Sequence, residues 1–99
     1  MPTFWLSYAI AENESSAVRR RGVENTVKNI SSKIWTGTEA FFVFETAYGI
    51  DGVAAAIGGV IDPKVDTALI GVVGDKVARA VGKVMDQAVF TLLPGVRKG

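Results

Sequence analysis

Ala40-Phe41-Phe42-Val43-Phe44, inside residues 39–46, is the stretch on which the reading of the fold turns. Every residue in the run is apolar, so neither side of it suits water. Aromatic and β-branched side chains favour a pleated strand, and a strand apolar on both sides belongs at the centre of a sheet covered from both directions. Just upstream, Thr36-Gly37-Thr38 supplies a hairpin turn, because glycine tolerates the positive φ of tight turns. Residues 32–35 then read as the short partner strand.

Working outward, residues 3–10 alternate: Phe4, Leu6, Tyr8 and Ile10 fall on one face, Trp5, Ser7 and Ala9 on the other. Asn13-Glu14-Ser15-Ser16 carries cap and turn chemistry, and a helix is expected from about residue 16 to 30. Val23, Val27 and Ile30 take its inner spacing, with Arg19, Arg20, Glu24 and Lys28 around the rest. Downstream, Val53, Ala54, Ile57, Val60 and Ile61 give a second helical stripe over 50–61, closed by Asp62-Pro63-Lys64. Residues 67–73 form another strand, stopped by Gly74-Asp75.

The order is strand, helix, strand, strand, helix, strand. It predicts one α+β domain over residues 1–99, with a ferredoxin-like βαββαβ antiparallel sheet and two helices on one face. Residues 75–99 are a C-terminal extension. Val77, Val81, Val84 and Ala88 keep helical spacing there, and 87–93 extends that helix or makes a last strand. Residues 96–99 read as a frayed basic tail. The second sheet face, with Trp5 and the outer side of 41–44, then needs a cover, either this extension or another copy of the chain.

Composition narrows the function. The chain has no cysteine and no histidine, which removes thiolate metal sites, disulfides and the commonest general base together. Eleven basic and ten acidic residues leave a charge of +1, so no whole-molecule field draws it to nucleic acid or to an anionic membrane. A hydrophobic share of 48% is high for 99 residues and points to a homo-oligomer that hides part of it. No apolar run approaches the ~20 residues of a membrane span. Without a basic, apolar leader at the N-terminus, the expected location is the cytoplasm.

Arg19-Arg20-Arg21 is the one local basic run and the candidate ligand-binding site. Cations near a helix start oppose the macrodipole, so an anionic partner is sought for them; the competing reading is a solvated face paired with Glu12, Glu14 or Glu24. Arg97 and Lys98 add to the positive charge, and Lys76, Arg79 and Lys83 make a second basic stripe whose simpler role is solubility. Glu12 and Glu14 flank Asn13, and acidic residues just before a helix serve its dipole more readily than acid–base chemistry. Gly71-Val72-Val73-Gly74-Asp75-Lys76 lacks both phosphate-loop patterns and reads as a strand end followed by a helix cap. Trp5, Trp35, Tyr8 and Tyr48 could stack on bases, although nine aromatics must also serve core and contacts. Ser7, Ser15 and Ser16 have no histidine to activate them.

Three stretches, Phe4-Trp5-Leu6-Ser7-Tyr8, residues 32–44 and residues 67–74, resemble the small ferredoxin-like family of CRISPR adaptation subunits and its SinR-like and VapD-like relatives. They match that family's opening strand, central hairpin and fourth strand. The resemblance implies a dimer, and in nuclease members a metal held by an aspartate just after the Ser/Thr-Tyr pair. Ala9 stands at that position here, so the resemblance implies a catalytically silent copy.

The function expected is a non-enzymatic, oligomeric binding or assembly module without cofactor, of regulatory or counter-defence, phage-related type. Its ligand would be anionic: a nucleotide, a nucleic acid or a protein surface. One alternative is a metal-dependent nuclease that has moved its carboxylates to Glu12 or Glu14. The other is a structural subunit with no ligand.

Overall fold

The computed structural model covers residues 1–99 and folds as β1 (Thr3–Ala9), α1 (Ser16–Ile30), β2 (Ser31–Thr38), β3 (Phe41–Thr46), α2 (Ile50–Gly58), β4 (Thr67–Val72), β5 (Ala78–Gly82), α3 (Val89–Leu92) and β6 (Val96–Lys98). It is an α+β chain built on one six-stranded sheet in the order β2-β3-β1-β4-β5-β6. Every neighbouring pair is antiparallel except β5 and β6, which are parallel.

β1 lies between β3 and β4, with Leu6 opposite Phe42 on one side and Ile70 on the other. Its even-numbered residues join Phe42, Phe44, Ala68, Ile70 and Val81 beneath Val23 and Val27 of α1 and Val53 and Ile57 of α2. Both longer helices therefore cover the same face. α1 takes the expected bounds, and its Val23 and Val27 are fully buried. α2 stops at Gly58 rather than running to Ile61, with Gly59 as its C-cap. Two adjacent glycines have no side chains to anchor a further turn, and the chain leaves there for the Asp62 turn.

The hairpin turn sits later than expected. β2 runs through Gly37 to Thr38, and the turn is Glu39-Ala40, where Ala40 takes φ 52°. From Ser32 onward every residue of β2 is exposed, so it is an edge strand that stands clear of the core.

The extension departs most from the sequence reading. Its first part is not a helix: β5 pairs with β4 through a turn in which the Asp75 carboxylate accepts the backbone N–H groups of Lys76 and Val77. Valines at 77, 81 and 84 fit helical spacing, but Val77 and Val81 also fit two-residue alternation, with Val84 beyond the strand end at Gly82. Arg79 and Val81 face the helices while Ala78 and Ala80 face away, and the unpaired edge of β4 decides between the periods. Residues 96–99 are not frayed either. Val96 is buried and β6 pairs with β5, from Ala78 opposite Val96 to Ala80 opposite Lys98.

A parallel pair needs a crossover. Residues 83–95, including α3, make it across the helix-free face, where Val84 and Phe90, with Leu69 of β4, pack on Ala78, Ala80 and Val96. This strap covers the β4–β5–β6 half of that face. The β2–β3–β1 half lies outside this cluster and carries half-buried Trp5, Phe41 and Val43 and half-exposed Trp35. No helix is long and apolar enough to cross a membrane.

Candidate functional site

The three arginines of the candidate site do not act together. Arg19 turns inward and is only 9% exposed. Its Nε donates to Asp66 Oδ2 at 2.7 Å, Nη2 donates to the Ala11 carbonyl at 2.9 Å, and Nη1 donates to Asn13 Oδ1 at 2.9 Å. Arg20 is partly exposed and pairs with Glu12, whose other oxygen accepts the Ser16 hydroxyl at 3.3 Å. Arg21 is exposed and enters no ion pair. The partner that the helix dipole asks for is thus supplied from within the chain for two of the three.

Asp66 is fully buried at the entry to β4 and gathers four donors: Arg19 Nε and Nη2, the Ala11 N–H at 2.9 Å and the Asp62 N–H at 2.8 Å. Burial alone would push its carboxyl up. The hydrogen bonds from Arg19, Asp62 and Ala11, together with the Arg19 charge, outweigh that and hold it below the usual carboxylate range. Its own carbonyl accepts the Lys83 N–H at 2.7 Å. A Cβ at Gly82 would lie 2.3 Å from that carbonyl, and Gly82 takes φ 84°, so only glycine fits. The cluster ties the β1–α1 loop, the α2–β4 loop and the end of β5 into one knot. With every buried polar atom satisfied, it is a structural element.

The exposed basic stripe is also divided. Arg79 faces α2 and binds Asp51 in that helix's first turn at 2.9 Å, while Lys76 and Lys83 remain in loops. Glu12 is held by Arg20 and Ser16, and Glu14 is exposed in the loop before α1. No three carboxylates converge as a metal cluster. Ala9 ends β1 on the helix-free face, away from both glutamates.

Two surfaces remain. The first is the uncovered half of the sheet. Trp35 is 50% exposed and meets Phe41 edge-on at 6.4 Å between ring centres, directly across from Val43. Trp5, opposite Val43 from the other side, leans over β4 into the space above Gly71, where a Cβ would come within 2.2 Å of the indole. The small residue lets the ring lie down across the sheet. Lys33 and Glu45 face each other at the margin of this patch.

The second is a cleft of about 460 Å³ between α1 and the tip of the β2–β3 hairpin. Arg20, Glu24 and Lys28, one turn apart along α1, form one wall, and Thr36 and Thr38 of β2 face them. Tyr8, parallel to Phe42 at 5.8 Å, is half-buried between the walls. Burial raises the Tyr8 phenol, the Glu24 charge raises it further, and Arg20 opposes both, so it stays protonated as a donor. Charge alternation at 20, 24 and 28 was visible in the sequence. The hairpin is visible there too, but not that its tip, at Glu39-Ala40 rather than Thr36-Gly37-Thr38, folds opposite this wall.

No protein-family model, curated protein or solved structure matches the chain.

Proposed function

We propose that the chain is a non-enzymatic module that self-associates through the uncovered half of its sheet and holds an anionic ligand on the opposite side. The observation that carries this reading is the set Trp35, Phe41 and Val43 on the helix-free face, outside the cluster that the strap covers, with Trp5 bordering both this patch and the strap. Half-exposed tryptophan on a two-sided apolar sheet is the composition of an interface core. A second copy fits it best, because a face with one lysine and one glutamate at its margin has no excess charge to attract a polyanion, and a two-fold pairing could set Lys33 against the other copy's Glu45.

The finer fold reading belongs here as well: a ferredoxin-like unit made of β1 to β4 with α1 and α2, enlarged by β5, α3 and β6. The order β2-β3-β1-β4 within the larger sheet supports it. With it comes the proposed relation to the CRISPR adaptation subunits, as a silent, regulatory or counter-defence relative acting in the cytoplasm. The support is the resemblance of residues 4–8, 32–44 and 67–74, with Ala9 at the catalytic position.

Light scattering on size-exclusion peaks tests the assembly. The wild type should elute as a dimer or larger species at micromolar concentration, and Trp35→Glu should elute as a folded monomer. A sharp monomer mass for the wild type overturns the reading.

A further inference from the structure

We propose that the cleft between α1 and the β2–β3 hairpin is a nucleotide site, taking a purine nucleoside monophosphate with its base on Tyr8, its N–H edge on Glu24 and its phosphate on Lys28. This rests on the ligand-binding half of the function proposed above and names the ligand class. It concerns the helix-bearing side of the sheet and does not depend on self-association.

Size and lining come first. About 460 Å³ lies in the range of small-molecule sites and suits a nucleotide. Tyr8 supplies a flat, half-buried ring, and Phe42 lies parallel to it with an interplanar angle of 13°. Aromatic faces of this kind accept bases by stacking, and Tyr8 adds a hydroxyl that makes no hydrogen bond within the chain and stays protonated.

The charges set the orientation. Three ion pairs exist in the molecule, and Arg20 is engaged in one of them, with Glu12. Glu24 and Lys28 enter none, although a glutamate four residues before a lysine is the favourable order for a helical pair. Both charges therefore remain free along the same wall. One helical turn puts their Cβ atoms ~6 Å apart, and the longer span from the base edge of a nucleotide to its phosphate is left to the flexible lysine stem. A carboxylate accepts two adjacent N–H groups in a bidentate manner, which matches the N1 and amino hydrogens of guanine and not the edge of adenine. Lys28, a compact ammonium, suits the phosphate, and the Thr36 and Thr38 hydroxyls opposite can bond the sugar or the phosphate oxygens.

The hairpin tip supports a ligand role for this end of the sheet. Ala40, beside the cleft, holds φ 52°, a left-handed conformation uncommon for a residue with a Cβ. Its carbonyl accepts the Tyr8 N–H at 3.1 Å, so the strained residue fixes the backbone under the stacking ring. Glu39, at the same tip, repels a phosphate from the Tyr8 end and leaves Lys28 as its position.

The test is titration calorimetry with GMP, AMP, guanosine and inorganic phosphate, repeated on Glu24→Gln, Lys28→Gln and Trp35→Glu. GMP should bind saturably and at least tenfold more tightly than AMP or phosphate. Glu24→Gln should abolish the preference for GMP over AMP. Lys28→Gln should weaken GMP about tenfold and leave guanosine unchanged, and the changes at half-buried Glu24 and exposed Lys28 should both keep the wild-type melting temperature within a few degrees. Trp35→Glu should bind GMP as the wild type does, which separates this site from the assembly surface. Absence of saturable binding, equal affinity for all four probes, or affinities indifferent to Glu24 and Lys28 would each overturn the assignment.

Discussion

Arg19 and Asp66, 47 residues apart in the chain, form the one buried ion pair of the molecule, with Nε 2.7 Å from Oδ2. The pair closes the sheet end at which β1 leaves and β4 enters. Because each remaining polar atom of the two groups is also hydrogen-bonded, the knot meets the condition under which a buried pair can be tolerated at all.

Breaking the pair from one side should therefore be severe. Asp66→Asn or Arg19→Leu should each lower unfolding free energy by about 3–5 kcal/mol, since the survivor is left buried and uncompensated. The double change Arg19→Leu with Asp66→Leu should cost clearly less than the sum of the two singles. Urea denaturation of the four proteins gives the coupling, and additive costs would mean that the pair does not act as a unit.

Asp66 also fixes the sign of the acid response. Its folded carboxyl lies below the usual range. Its contribution is therefore complete above the unfolded value of ~3.9 and is lost as pH falls through the lower folded one. The unfolded chain binds a proton that the native one does not, and stability must decline toward acid by up to about 1.4 kcal/mol per pH unit from this group. Asp66→Asn should flatten the slope of stability against pH below about 4.

Phe44 is 1% exposed, packs against Phe4 at 5.8 Å, and lies on the strand between β1 and β2. Phe44→Ala should cost about 3–5 kcal/mol, a large part of the stability of a domain this small. Amide exchange should be slowest along β1 and β3, and fast exchange there would contradict the central placement of these strands.

Gly82→Ala should destabilise by about 2 kcal/mol or more, for it adds a left-handed penalty to a clash with the Asp66 carbonyl. Hydrogen exchange should report the damage at the Lys83 N–H that donates to that carbonyl, as well as in the global unfolding transition. A neutral substitution would mean that the β5 end and the α2–β4 loop are not rigidly joined.

The local signals in the sequence carried a long way. The bounds of α1 followed from Asn13-Ser15 at its start and from Val23 and Val27 on its inner face, and the centrality of residues 41–44 followed from their two apolar sides. The pairing of β5 and β6 was not legible, because Val77 and Val81 satisfy both periods, Val84 completes only the helical one, and the open edge of β4 selects the strand. The misplaced arginines were a real signal whose content lay elsewhere. Their unfavourable position on the helix dipole asked for an anion, but nothing local to residue 19 identifies Asp66 as that anion. Of the three candidate arginines, Arg20 alone lines the cleft proposed to bind a ligand. Tyr8, Glu24 and Lys28 join it only once the hairpin folds across them.

The position of β1 between β3 and β4 has a consequence for biosynthesis. Within these 99 residues the earliest strand to leave the ribosome is an interior one, and its two neighbours are made roughly 40 and 60 residues later. A nascent chain therefore exposes Phe4, Trp5 and Leu6 to solvent until Thr46 has emerged, and keeps one side of that strand open until Val72 follows. During that interval the segment is unpaired apolar strand, the kind of surface on which aggregation starts. The strap and β6, by contrast, attach to a sheet that is already formed, so errors at the end of translation fall on its margin rather than on its centre.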